Sequence, residues 1–195
     1  WGRNNYGQLG DGWDGNWSTQ PTQSHVPVEV ILPPGRVPIE VSAFGYHTCS
    51  ILDNASVYCW GRNTNGQLGR GYEGFDNYAQ WTPQPMLLPE GRGAIAVSLG
   101  SFTTCVILDD KSLNCVGDLH GNGVVNPDYS TYLDLNPIFG LPNDKYVVAV
   151  SPGWDHTCTL MNDGTVYCWG QNNWLGSGID YSWYDNGNFN TSSIA

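Results

Sequence analysis

The stretch that decides the fold is HTCSILDNASVYCWGRNTNGQLG, His47 to Gly69, in which Cys49 and Cys59 stand ten positions apart around Asp53-Asn54-Ala55. The string occurs again. Aligned on the cysteines, the chain shows Cys105 and Cys115, then Cys158 and Cys168, at the same internal spacing. Other landmarks move with them: Val41-Ser42 returns as Val97-Ser98 and Val150-Ser151, and Leu32-Pro33 as Leu88-Pro89 and Leu141-Pro142. Trp1-Gly2-Arg3-Asn4 precedes Gly7-Gln8-Leu9-Gly10 as Trp60-Gly61-Arg62-Asn63 precedes Gly66-Gln67-Leu68-Gly69. A shortened version starts at Trp169-Gly170-Gln171-Asn172, and the copy at Val116-Gly117 is worn. A unit of this length, recurring, marks a solenoid, a propeller or an array.

Each unit reads as β structure. Ile39–Val41, Ile95–Val97 and Val147–Val150 are short and β-branched, and the segments around the cysteines alternate between two faces until an Asp/Asn/Gly cluster breaks them. The cluster Asn162-Asp163-Gly164 suits a three-residue hairpin loop whose last residue is left-handed, a conformation glycine adopts without steric cost. Centring the first hairpin on Asn54 opposes Ile51 to Val57, Ser50 to Tyr58 and Cys49 to Cys59. Directly opposed residues of an antiparallel pair have Cα atoms roughly 4.5–5.5 Å apart, within reach of a disulfide. The spacing therefore predicts Cys49–Cys59, Cys105–Cys115 and Cys158–Cys168 bonds, each closing its own hairpin and each worth about 2–3 kcal/mol in the chain-entropy account. Structural zinc would call for a close C-x-x-C pair with a second pair or histidines, a spacing this chain lacks. A catalytic thiol would stand once beside a base, not three times in matched pairs. Bonded pairs imply an oxidising compartment, hence an extracellular or cell-surface location.

Composition bounds the function. The 195 residues carry a net charge of −11 with seven Lys+Arg, too few cations for a phosphate-neutralising patch, so nucleic acid is not an expected partner. No apolar run reaches the length of a membrane span, so no membrane insertion is expected. The chain opens on Trp1 without a visible signal peptide and reads as a processed chain or a piece of a longer one.

The pattern V-x-V-S, H-T-C, D-G-T-V-Y-C-W-G and then N-x-x-G-Q-L-G, seen at Val148–Ser151, His156–Cys158, Asp163–Gly170 and Asn63–Gly69, resembles the repeat of the regulator of chromosome condensation family, in a secreted, disulfide-containing form. The resemblance covers nearly the whole chain. It implies an all-β fold of β-propeller blades, each repeat supplying about one four-stranded blade of a ring that usually holds seven. This chain would then supply about three blades, an incomplete propeller or part of a larger array. The repeats divide as 1–59, 60–115 and 116–168, with 169–195 starting a further repeat or tail. Family members include nuclear exchange factors for a small GTPase, a secreted bacterial β-lactamase inhibitor and repeats within large surface proteins. The hairpin cysteines, the acidity and the three complete hairpins depart from the nuclear type.

Because one fold serves unrelated jobs, function is sought in what is not repeated. The variable stretches follow the Trp-Gly strand, at 11–24, 71–82, 118–135 and from 177 onward. They carry Trp13, Trp17, Tyr72, Phe75, Tyr78, Trp81, Tyr129, Tyr132 and Trp183, with Tyr181 and Tyr184 beside the last. Insertions at one place in a repeat emerge on one face of the array, and Tyr and Trp give large contact area at low entropy cost. These aromatics read either as a binding face or as plugs between blades. Three N-x-S/T stretches begin at Asn16, Asn54 and Asn190; Asn54 falls on a hairpin tip, but its counterparts Asp110 and Asp163 make it a plausible turn residue as well.

No catalytic or metal-binding constellation is expected, and no cofactor. His47 and His156 precede a cysteine by two positions, where the second repeat has Thr103, which reads as packing. His25 and His120 are lone loop histidines. The loop acids Asp14, Asp76, Asp118, Asp128, Asp180 and Asp185 form no calcium loop closed by glutamate. Ser18 and Ser130 lack a nucleophile elbow. The expectation is therefore a non-enzymatic extracellular structural or adhesive module, part of a larger surface protein, fibre or filament. Its partners would be further repeats of the same chain or neighbouring copies. The alternative is a dedicated secreted binder or inhibitor of one protein or glycan.

Overall fold

In the computed structural model, residues 1–12, 22–71, 79–117, 133–138, 140–154 and 156–170 are described, and every regular element among them is a β-strand. The strands are β1 (Gly2–Arg3), β2 (Gln23–Ser24), β3 (Pro38–Phe44), β4 (His47–Leu52), β5 (Val57–Arg62), β6 (Ala79–Pro85), β7 (Ala94–Leu99), β8 (Thr103–Leu108), β9 (Leu113–Gly117), β10 (Asn136–Pro137), β11 (Val147–Pro152), β12 (His156–Met161) and β13 (Val166–Gly170). They form antiparallel sheets in chain order: β3-β4-β5-β6, then β7-β8-β9-β10, then β11-β12-β13. A fourth, two-stranded sheet pairs β1 with β2. The expected four-stranded blades are thus present twice. The third sheet has three strands among the described residues.

Sheet and sequence repeat are out of phase. The first sheet spans residues 38–85, so the repeat boundary after Cys59 falls inside β5. The pairing of β1 with β2, Gly2 opposite Ser24 and Arg3 opposite Gln23, reproduces that of Gly61 with Gln80 and Arg62 with Ala79. The stretch from Trp1 to Ser24 accordingly supplies the outer strands of a blade that precedes β3.

The hairpin register agrees with the sequence reading: Ile51 opposes Val57, Ser50 opposes Tyr58 and Cys49 opposes Cys59. Cys105–Cys115 and Cys158–Cys168 sit in the same register. All three loops end left-handed. Gly164 has φ 89°, and its counterparts Ala55 and Lys111 adopt φ 63° and 69° although neither is glycine.

The expectation of alternating faces needs refinement, because β4 and β8 are buried along their whole length. A blade is covered on both sides. The face bearing the disulfide lies against the following blade: Cys49, Ile51, Val57, Cys59 and Leu68 of the first blade pack with Val97, Val106, Leu108 and Val116 of the second. The second blade presents Cys105, Ile107, Leu113 and Cys115 to Val147, Met161 and Trp169 of the third. Fully burying a Val, Leu or Ile side chain contributes about 1.5–3 kcal/mol, so these junctions, with a disulfide in each, form the core.

The Trp-Gly signature has a steric cause. Gly61 and Gly117 have φ 101° and 110°, and a Cβ at Gly117 would lie 2.0 Å from the Phe102 carbonyl oxygen. Only glycine fits a left-handed position pressed against the adjacent strand. The worn copy at Val116-Gly117 has lost the tryptophan but kept the glycine.

Candidate functional site

The Gly-Gln-Leu-Gly loop is built by two buried side chains. Asn63 Oδ1 accepts from Leu68 N at 3.0 Å and Gln67 Oε1 accepts from Asn65 N at 2.9 Å. Asn4 and Gln8 do the same for Leu9 N and Tyr6 N at 3.0 and 2.9 Å. Wrapped in this way, the loop turns a main-chain carbonyl toward the next blade. The Gln8 carbonyl accepts from Thr48 Oγ1 and from Trp60 Nε1, both at 3.0 Å. The Gln67 carbonyl accepts from Thr104 Oγ1 at 2.7 Å.

His47 joins this junction. Its Nε2 lies 2.9 Å from Thr104 Oγ1. Since the Thr104 hydroxyl hydrogen is given to Gln67, the hydroxyl oxygen accepts from His47 Nε2–H, which fixes the neutral tautomer. Burial pushes the imidazole pKa down from 6.5 to about 3. His47 is therefore a neutral packing residue between blades, and the packing reading from sequence is what the geometry displays. His156 is half-buried, beside Gly153.

A second cluster gathers where successive β3–β4-type turns meet. The Arg62 guanidinium carbon lies 5.3 Å from the Tyr6 ring centre, 5.7 Å from that of Tyr46 and 4.9 Å from that of Phe102. Arg62 Nε donates to Thr64 Oγ1 at 2.7 Å. Cation–π attraction over these distances ties three successive blades. Nearby, Phe44 meets Trp154 edge-to-face at 6.4 Å, and Trp154 is 67% exposed. Sequence reasoning missed this cluster, because its members sit in the regular part of the repeat and not in the variable loops.

The hairpin tips carry a third recurring feature. Arg36 reaches Asp53 at 3.7 Å, Arg92 reaches Asp110 at 3.1 Å and Lys145 pairs with Asp163. The signal was present in the sequence, since Arg36, Arg92 and Lys145 obey the cysteine offsets. Hydrogen bonding from Ser112 lowers the Asp110 pKa, and the bond from Lys145 lowers that of Asp163. These pairs are solvent-exposed and contribute little to stability.

All six cysteines are bonded as Cys49–Cys59, Cys105–Cys115 and Cys158–Cys168, each with Cα atoms 4.1 Å apart. Of the sequence's binding-face candidates, Trp81 is half-buried in β6 against Gly7, whose position leaves no room for a Cβ beside it. Trp13, Trp17, Tyr72, Phe75, Tyr78, Tyr129, Tyr132 and Trp183 lie outside the described residues, as do Asn16 and Asn190. Asn54 is exposed at its tip. Among the described residues no group of three His, Cys, Asp or Glu side chains could hold a metal ion. No described helix is long and apolar enough to cross a membrane, which leaves β-barrels aside.

Stacked, stapled antiparallel blades, with a Gly-Gln-Leu-Gly loop whose carbonyl accepts hydrogen bonds from the next blade, define a repeat β-propeller protein. The profile of the regulator of chromosome condensation (RCC1) repeat matches residues 1–51 and 54–107, and a second RCC1 profile matches 39–67 and 147–173. The chain belongs to the RCC1 repeat family. It is similar to the ultraviolet-B receptor UVR8 of Arabidopsis thaliana, with 29% identity over 172 residues, covering 88% of this chain and 36% of the receptor. It is also similar to the probable E3 ubiquitin-protein ligase HERC6 of Homo sapiens, with 30% identity over 178 residues, covering 88% of this chain and 16% of the ligase. The chain thus spans about a third or less of the length of these relatives. Among solved structures, human WBSCR16 superposes with a TM-score of 0.69 at 20% identity, over 88% of this chain and 42% of that one. Yeast RCC1 (Prp20), solved bound to Kap60, gives 0.68 at 19% identity over 87% and 38%. At these identities the structural likeness establishes the propeller fold alone.

Proposed function

We propose that this RCC1 repeat chain is a non-enzymatic structural or adhesive module of an extracellular or cell-surface protein. Its blades would stack on further repeats of the same polypeptide or on neighbouring copies. The observation that carries the reading is the placement of the disulfides. Cys49–Cys59 and Cys105–Cys115 are fully buried at the blade junctions, so oxidised sulfur is part of the core. Such pairs persist in oxidising compartments and are reduced in the cytosol. The stacking partner is supported by one asymmetry. Val97 is 4% exposed beneath the preceding blade, whereas its counterpart Val41 is 67% exposed and its neighbour Ile39 is 66% exposed. The surface around them, with Val30, Leu32 and Trp60, outlines a groove of about 750 Å³. Sedimentation of the oxidised chain tests the stacking. Self-association that a Val41→Glu substitution abolishes supports it, and a monomer at every concentration contradicts it.

The dedicated binding protein is the second reading, favoured by one observation. Exposed Trp154 and its edge-to-face partner Phe44 are of the residue type that dominates interface hot spots. Saturable binding on a protein or glycan array that Trp154→Ala removes would select this reading over the first.

A further inference from the structure

We propose that Asn54 is an N-glycosylation site, the one hairpin tip of the three that is built to carry a glycan. The proposal rests on the extracellular reading above. The three tips have the same geometry. Asn54 Oδ1 accepts from Ser56 Oγ at 2.6 Å, Asp110 Oδ1 from Ser112 Oγ at 2.6 Å and Asp163 Oδ1 from Thr165 Oγ1 at 2.6 Å. In each, the same oxygen accepts from the main-chain N–H two residues on, at 3.3, 3.0 and 3.0 Å. A carboxylate and an amide therefore serve this turn equally, and the turn does not require asparagine.

What the amide changes lies outside the turn. Asp110 and Asp163 each bind the repeat's cation, Arg92 and Lys145. At the first tip Arg36 reaches Asp53 at 3.7 Å, as Arg92 also reaches the equivalent Asp109 at 3.5 Å, but Asn54 has no charge to offer it. The first repeat thus keeps its pair with Asp53, lacks the one the other tips make to the turn carboxylate, and gains an amide nitrogen. That nitrogen, Nδ2, has no hydrogen-bond partner among the described residues, and Asn54 is solvent-exposed. The tip backbone is anchored from below, where the Ala55 carbonyl accepts from Ala94 N at 2.8 Å. A glycan on Nδ2 would project from the anchored tip without disturbing the blade junction. The residue two positions on, Ser56, supplies the hydroxyl that the N-x-S/T acceptor pattern demands.

The co-reactant is a lipid-linked oligosaccharide held as a pyrophosphate ester by a membrane oligosaccharyltransferase. Nδ2 attacks the anomeric carbon and the N–C bond forms. The bond from that carbon to the phosphate oxygen breaks, and the lipid pyrophosphate leaves with the electron pair. Nδ2 gives up one proton to the transferase.

The test is site mapping on the 195-residue chain secreted from eukaryotic cells. Peptide-N-glycosidase in heavy-oxygen water converts each glycosylated asparagine to labelled aspartate. Label on the tip peptide at Asn54 is expected. Asn54→Asp should remove that label and leave the melting temperature and all three disulfides unchanged, since aspartate serves the other two tips. Asp110→Asn, which creates Asn-Lys-Ser on the same geometry, should add a second label. An unlabelled Asn54 in a chain whose three disulfides have formed overturns the glycosylation proposal. Free thiols in the secreted chain overturn the extracellular reading beneath it.

Discussion

His47 of β4 donates from Nε2 to Thr104 Oγ1 of β8 across 2.9 Å, and Thr104 passes its own hydrogen on to the Gln67 carbonyl at 2.7 Å. A single hydroxyl of the second blade thus satisfies two groups of the first, the His47 N–H and the Gln67 carbonyl. Thr104→Val keeps the volume and removes the hydroxyl, leaving a buried donor and a buried acceptor unpaired. It should cost about 2–6 kcal/mol in denaturant unfolding, at roughly 1–3 kcal/mol per orphaned group. Thr104→Ser should cost less than half as much. Equal losses would mean that the methyl group, not the bond, matters at this junction.

The same histidine makes stability depend on pH. Its pKa is about 3 when folded and 6.5 as a free side chain, so the unfolded chain binds the extra proton between those values. The contribution is fully present above about pH 6.5 and is lost as pH falls toward 3, amounting to about 2 kcal/mol by pH 5. Unfolding measured at pH 7 and pH 5 should show this loss, and His47→Gln should flatten it. An unchanged slope in the variant would move the effect to other groups.

Lys111 holds φ 69° at a loop position where Gly164 stands in the third hairpin. Lys111→Gly relieves the left-handed strain and should stabilise the chain by about 0.5–1 kcal/mol, after glycine's greater unfolded-state freedom is offset against it. A higher midpoint in denaturant checks this, and a lower one refutes it.

Gly117→Ala should have the opposite effect. The new Cβ would fall 2.0 Å from the Phe102 carbonyl oxygen at a left-handed φ of 110°. The expected loss is about 3 kcal/mol or more, seen as a collapse in soluble yield or melting temperature. A native melting temperature would show that the strand can shift to accept it.

How much of this was legible in the sequence differs between hairpin and junction. The register of Cys49 with Cys59 was readable because a three-residue loop leaves one centring that opposes both cysteines and matches apolar partners. The left-handed Ala55 and Lys111 were not readable from residue type; they follow from their alignment with Gly164. Strand β10 (Asn136–Pro137) lacks any β-branched run and forms because β9 offers an open edge. The bond from His47 to Thr104 spans 57 positions, and nothing local announces it. The ion pairs at the tips could have been found, since their basic members repeat on the cysteine offsets. The Arg62 cage was only half legible: Tyr46 and Phe102 hold the same position on the cysteine offset, but Tyr6 comes from the loop ahead of Gly7 and nothing local pairs it with Arg62.

The central proposal is that this RCC1 repeat chain works with its disulfides formed, outside the reducing cytosol. The direct measurement is peptide mapping of the chain isolated without reductant, with free thiols alkylated before digestion. Bonds Cys49–Cys59, Cys105–Cys115 and Cys158–Cys168 with no alkylated cysteine are the predicted result. Alkylated cysteines in folded chain, or bonds joining different hairpins, would contradict it.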